Sequence, residues 1–461
     1  MSSFLRFLLI NVLAASVTSS ASAAPSSDQQ DWPQWRGPHA NGVSPAGSPP
    51  LTWSETSNVK WKVKLPGRGS ATPIVWGNQI FIQTAIASGQ KGVALAAELS
   101  QPPPVGGQSR GGPPGQDRGG GMTTGKPTEA YQFVLLSIDR ETGKTQWQKV
   151  LEEMVPHEGH HAVEGNFASA SPVTDGDSVY AFFGSRGLYC CDLQGNVKWK
   201  KDFGQMKIKM GFGEGCSPAL FGDKLIVNWD HEAGSFIVAL DKVTGQELWR
   251  QPRDEETSWA TPFVVVQDGK PQVVTAATRK VRSYDLATGK LLWECTGLTA
   301  NVIPTPVAGD GLVYATSGYR GNALLAIKLG RTGDVTGTDA IAWSYKKNTP
   351  YVPSPLLYEG RLYFFAVNSA TLTCCDSKSG RVLIDAQRIP ELRDVYASPV
   401  GVAGRVYVVD RNGAVAVLKS AEHLEVLATN RLDEKFDASP AIVGREIFLR
   451  GREHLYCLAE M

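Results

Sequence analysis

The chain has 461 residues, 42% of them hydrophobic, with 46 lysines and arginines against 45 aspartates and glutamates. That apolar content is ample for a large core, and a charge balance this close gives no reason to expect nucleic acid or an anionic membrane as partner.

The chain opens on a stretch that reads as a secretory signal. Arg6 supplies the positive charge, Phe7 to Val17 is apolar except for Asn11 and Ser16, and Ala21-Ser22-Ala23 offers small residues for cleavage after Ala23. The apolar run is shorter than the roughly 20 residues a bilayer span needs. Residues 1–23 are therefore expected to be removed, leaving a mature chain in the periplasm or outside the cell. Residues 24–57 form a leader rich in tryptophan and proline. Trp32 and Trp35 are expected to pack it against the side of the main body, with sugar stacking as the other reading.

From residue 58 onward the chain repeats. A Ser/Thr-Pro step ends at Pro73, Pro172, Pro218, Pro262, Pro306, Pro355, Pro399 and Pro440. All intervals but the first fall in the range of about 40–50 residues that a four-stranded propeller blade occupies. The first is long because of an insertion over 88–128, rich in glycine, proline and glutamine, which composition marks as disordered. Within the third unit, strands are expected at Ser217 to Leu220, Lys224 to Trp229, Phe236 to Leu240 and Glu247 to Arg250. These are named A to D. The glycine of Asp241-Lys242-Val243-Thr244-Gly245 supplies the positive φ of a tight turn, and Asp241 can cap its backbone. The pattern Asp-x-x-Thr-Gly-x-x-x-Trp recurs at Asp139/Trp147, Asp241/Trp249 and Asp285/Trp293, and the tryptophan offers a plate for packing on the next blade. The eighth unit stops after its third strand. Asn58 to Leu65, with Trp61, can supply the fourth and close the ring. The expected fold is an all-β, eight-bladed propeller of four-stranded blades, 58–461. Cys190-Cys191, Cys374-Cys375 and Cys457 occupy matching slots in strand C, where a small buried residue is wanted, so packing is favoured over disulfides.

The turn motif resembles the tryptophan-docking repeat of pyrroloquinoline quinone (PQQ)-type propellers, and the resemblance covers Asn58 to Met461 less the insertion. That family includes calcium- and quinone-dependent alcohol dehydrogenases and also scaffold propellers that assist outer-membrane protein assembly. Asp31-Trp32-Pro33-Gln34-Trp35-Arg36-Gly37-Pro38 is similar to the start of a bacterial group of exported PQQ-like repeat proteins. The resemblance implies the fold; the dehydrogenases' quinone and calcium residues have no residue-by-residue match here.

In such a propeller the D-to-A and B-to-C loops share one face around the channel, where ligands bind. Two sets of residues there are candidates. Arg186, Arg279, Arg320, Arg411 and Arg450 lie in B-to-C loops of five blades and could hold an anion through their planar forks, or pair with nearby acids. His157, His160 and His161, in a D-to-A loop, face Asp230, His231 and Glu232 from the next blade. Imidazole and carboxylate together suit zinc or another divalent ion. Gly211-x-Gly213-x-Gly215 lacks the strand–helix context of a nucleotide loop, and no Gly-x-Ser-x-Gly elbow occurs. The favoured function is a non-catalytic binding or scaffold propeller, monomeric, holding a protein or small anionic ligand at the channel face. The alternatives are a PQQ- and calcium-dependent alcohol-type oxidoreductase, or a metal-dependent activity at the histidine loop.

Overall fold

The computed structural model describes residues 31–89 and 121–461. The expected signal segment 1–23 and most of the 88–128 insertion lie outside the described residues. Among the described residues there are eight sheets, seven of four strands and one of five. All but blade 8 have their strands in sequence order from the inside out, as the repeat predicts. Blade 3 shows the agreement: its strands are Ala219–Phe221, Lys224–Trp229, Ser235–Asp241 and Glu247–Arg253.

The ring closes as the truncated eighth unit requires. Val59–Lys64 pairs antiparallel with His454–Leu458, with Val63 opposite Leu455 and Lys64 opposite His454. An otherwise open edge at each terminus is thereby consumed within one sheet. Arg450 adds a second link across this seam. Its buried guanidinium donates to the carbonyls of Ala71 and Gln83 in blade 1 at 3.1 and 2.8 Å.

Blades are joined by their tryptophans. Trp61, Trp147, Trp199 and Trp249 each lie against the turn glycine of the following blade, Gly143, Gly195, Gly245 and Gly289. Each indole N–H donates to a carbonyl in that same turn, at 2.9–3.1 Å. Trp293 has no such turn to meet in blade 5, and its N–H turns inward to Gln272 Oε1 at 3.2 Å. The longer turn of blade 5 does something the repeat did not announce. Gly333–Asp334 pairs in parallel with the outer strand of blade 4 and becomes its fifth strand.

The cysteine pairs behave as packing residues. Cys190 and Cys191 lie in different core clusters on the two faces of their strand, as do Cys374 and Cys375. All seven cysteines are buried free thiols.

The leader does not run along the side of the propeller, where Trp32 and Trp35 were expected to pack it. It crosses the mouth of the channel on the face of the A-to-B turns. Trp32 bridges to Val75 of blade 1, and the carbonyl of Pro33 accepts the N–H of Thr174 in blade 2. Arg36, fully buried, reaches the carbonyl of Pro355 in blade 6 at 2.7 Å. Val43 and Gly47 then bridge to Gly401 and Gly444 of blades 7 and 8. Blades 2 and 6 are opposite in a ring of eight, so the segment spans the opening. The reason is chemical: the inner strands end there in unpaired backbone groups, and a proline-rich segment can bond to them without needing a sheet of its own.

Candidate functional site at the channel

The Ser/Thr-Pro steps start the innermost strands, so their hydroxyls ring the channel. Each backbone N–H from Thr72 to Ser398 in the series donates to the hydroxyl of the next blade's residue. The links run from Thr72 to Ser171, Ser217, Thr261, Thr305, Ser354, Ser398 and Ser439, at 2.9–3.2 Å. This belt explains why the step recurs. The hydroxyl satisfies a neighbour's buried amide, and the proline that follows needs no donor of its own.

Above the belt the D-to-A and B-to-C loops surround a cavity of about 430 Å3. Its wall carries Trp259, Tyr319, Tyr351 and Tyr396, with the carboxylates of Glu164, Glu214 and Asp437; Trp35 of the leader lines it from the far side. The aromatic rings are held in place. Trp259 donates to the carbonyl of Gly213 at 2.8 Å. Tyr319 and Tyr351 stack with ring centres 5.1 Å apart. Tyr396 bonds to Glu164, and the Arg411 guanidinium lies 4.1 Å above its ring. Burial, then the bond to Glu164, holds the Tyr396 phenol above its usual range.

The five candidate arginines do not form an anion-binding ring. Arg186 is buried and paired with Glu214 at 2.9 Å. Arg411 is paired with Asp437 at 2.6 Å and Glu164 at 3.3 Å. Burial alone would lower its pKa, but Asp437, Tyr396 and Glu164 raise it above the ordinary value. Arg450 is spent on the backbone seam, and burial brings it down to about 9. Arg279 and Arg320 are exposed, the first 3.6 Å from Glu256 and the second over Tyr319. None of the five lines the cavity.

The two histidine clusters are neighbours on the expected face, but the chain Met206–Lys209 runs between them. His157 Nε2 bonds the carbonyl of Met206 at 2.7 Å, and the N–H of Lys207 donates to His231 Nδ1 at 3.1 Å. The N–H of Lys209 donates to Thr257, whose hydroxyl and N–H both bond Glu232. Asp230 is fully committed to Arg253, Ser258 and Asn228. His160 is buried, with Nδ1 on the carbonyl of His161 and its ring edge-on to Phe167. His161 alone of the six lines the cavity. Among the described residues no group of three or more His, Cys, Asp or Glu is placed to hold a metal ion. The clusters serve to fasten a loop, a role invisible in sequence because the fastened segment lies 49 residues from His157 and 24 from His231.

The same geometry bears on the quinone. Pyrroloquinoline quinone carries three carboxylates, and calcium takes six to eight oxygen ligands. Here the cavity presents carboxylates to its occupant, with Arg411, Arg452 and Arg186 bound behind them. Oxygen donors that suit calcium are present, but among the described residues no lysine or arginine lines the cavity to take the quinone's three carboxylates, so the lining does not fit the quinone–calcium pair. The cavity aromatics were missed in the sequence; Trp259, three residues ahead of Pro262 in a D-to-A loop, was the available signal.

Residues 233–461 match the family described as outer membrane protein assembly factor BamB. No curated protein matches the chain. Among solved structures, the quinohemoprotein alcohol dehydrogenase of Comamonas testosteroni is 10% identical, with a TM-score of 0.62 over 95% of this chain and 81% of that one. One from Pseudomonas putida HK5 is also 10% identical, with 0.57 over 96% and 82%. BamB from Moraxella catarrhalis is 14% identical, with 0.49 over 71% and 93%. At these identities the dehydrogenase likeness shows the fold alone. Repeat, blade count and these likenesses agree on the fold: the chain is an eight-bladed β-propeller of the PQQ-like type, and its residues 233–461 match the BamB family model.

Proposed function

We propose that this is an exported binding propeller that holds a small ligand in its channel. The observation that carries the reading is the 430 Å3 cavity, a volume within the usual range of small-molecule sites, about 300–1,000 Å3. Its aromatic walls are fixed by hydrogen bonds and stacking, so ordering them on binding costs little. The leader supports the same reading, because it turns an open channel into a vessel entered from the loop face. Its carboxylates are tied into ion pairs, which suits recognition better than proton transfer. Among the described residues no helix is long and apolar enough to cross a membrane. Export rests on the signal-like residues 1–23.

Hydrogen exchange of the full chain, with and without a small-molecule extract of the cell envelope, tests this. Protection is expected in the D-to-A and B-to-C loops. Protection confined to the outer D strands would place binding on the rim and sink the proposal. Sequencing the N-terminus of the mature protein checks cleavage after Ala23.

A further inference from the structure

Resting on the channel-binding reading, we infer that the cavity takes a neutral, ring-shaped polyol, a sugar unit, and turns away anions. The lining falls into two layers whose chemistries complement the face and the edge of such a ring.

The mouth is aromatic. Trp259, the stacked pair Tyr319 and Tyr351, and Tyr396 present fixed rings to an occupant. A ligand with a flat C–H face can lie against such rings without giving up hydrogen bonds.

The inner layer is hydroxylated. Six of the eight hydroxyls of the belt line the cavity, Thr305 and Ser354 being the two that do not. Within the belt five of these six, all but Thr72, serve as acceptors for one neighbouring N–H. A hydroxyl has one proton to donate and two lone pairs. The proton and one lone pair of each remain for a ligand rich in both donors and acceptors, which is what a sugar edge offers.

Charge decides between a neutral and an ionic occupant. Glu164, Glu214 and Asp437 face the cavity; Arg411, Arg186 and Arg452 neutralise them from behind. An anion meets carboxylates first, with the guanidinium groups already engaged. A cation finds carboxylates whose charge is spent. A neutral donor can still bond to their free lone pairs. The leader at the far side, with Trp35 on the lining, limits the occupant to a short unit entering end-on.

The test uses the full chain, followed by tryptophan fluorescence and calorimetry. The probes are glucose, maltose and cellobiose, set against pyrroloquinoline quinone and choline, each at 50 and 500 mM salt. One of the saccharides is expected to bind saturably, with a Kd that changes less than twofold between the two salts, since screening acts only on charges. Trp259→Ala should weaken it at least tenfold and Trp259→Phe by less. If Trp259→Ala does not fold, Tyr319→Ala serves, with an expected loss of at least fivefold. Saccharide binding unchanged in these folded variants overturns the inference. Binding of the quinone or choline without any saccharide also overturns it, while leaving the channel-binding reading standing. No saturable binding of any class overturns both.

Discussion

Trp249 of blade 3 lies directly over Gly289 of blade 4: a Cβ built on that glycine would come within 2.6 Å of the indole. Its N–H donates to the carbonyl of Leu286 at 2.9 Å. The glycine thus answers two demands at once, a φ of +73° and room for the ring. Trp249→Ala should cost about 3–5 kcal/mol, as large buried aromatics do. Gly289→Ala should cost at least the roughly 1–2 kcal/mol of a left-handed non-glycine residue, with the clash added. The double variant should cost less than the sum, because both changes act on one contact. Urea melts decide; a Trp249→Ala melt within about 0.5 kcal/mol of wild type would show that the interface carries little energy.

Ring closure by Val59–Lys64 covers the outer edge of His454–Leu458 in blade 8. Deleting residues up to Leu65 should expose His454–Leu458 and cause aggregation. Deleting only up to Ser57 keeps the closing strand and should leave a monomer of lower melting temperature, since Trp53 stacks on Tyr407 and Trp32 is fully buried. Light scattering of the two truncations checks this. Equal solubility of both would refute closure as the role of the segment.

Burial holds the imidazoles of His160 and His231 below their ordinary pKa. His231 must also keep Nδ1 unprotonated to accept the N–H of Lys207. The folded chain therefore binds these protons less readily than the unfolded chain. Their contribution to stability is intact above the ordinary imidazole value, about 6.5, and is lost as pH falls below it. The melting temperature should drop from pH 6.5 toward 5. A His160→Asn plus His231→Asn variant should show a shallower drop. Identical pH profiles for the two proteins would count against this account.

The composition of the 88–128 insertion predicts that excising residues 101–120 leaves the melting temperature within a few degrees of wild type, because long loops add little closure entropy. Its described end is another matter. Thr123 bridges to His161, and the N–H of Thr124 donates to the carbonyl of His160 at 2.9 Å. Extending the deletion through Thr124 should loosen the histidine loop and raise its hydrogen exchange. Unchanged exchange there would show that these contacts do not order it.

Much of this protein was legible without coordinates because its information is local and repeated. The Ser/Thr-Pro spacing, the Asp–Gly turn and the tryptophan after it each report on a few neighbouring residues, and their repetition averages away the exceptions. Even the closing strand could be inferred, since a blade one strand short must find it elsewhere. What the sequence could not decide was where solitary features meet. Arg411 looks like a ligand-binding arginine until Asp437 and Glu164 are placed against it from other loops. Asp230 looks like a metal ligand until Arg253 takes both its oxygens. The leader's path across the channel depends on backbone groups from five blades, none adjacent to it in sequence. Pairing of this kind occurs once each, between distant positions, and leaves no period to read. Only the tertiary structure decides it, because charge and hydrogen bonding act over a few ångströms in space, whatever the separation along the chain.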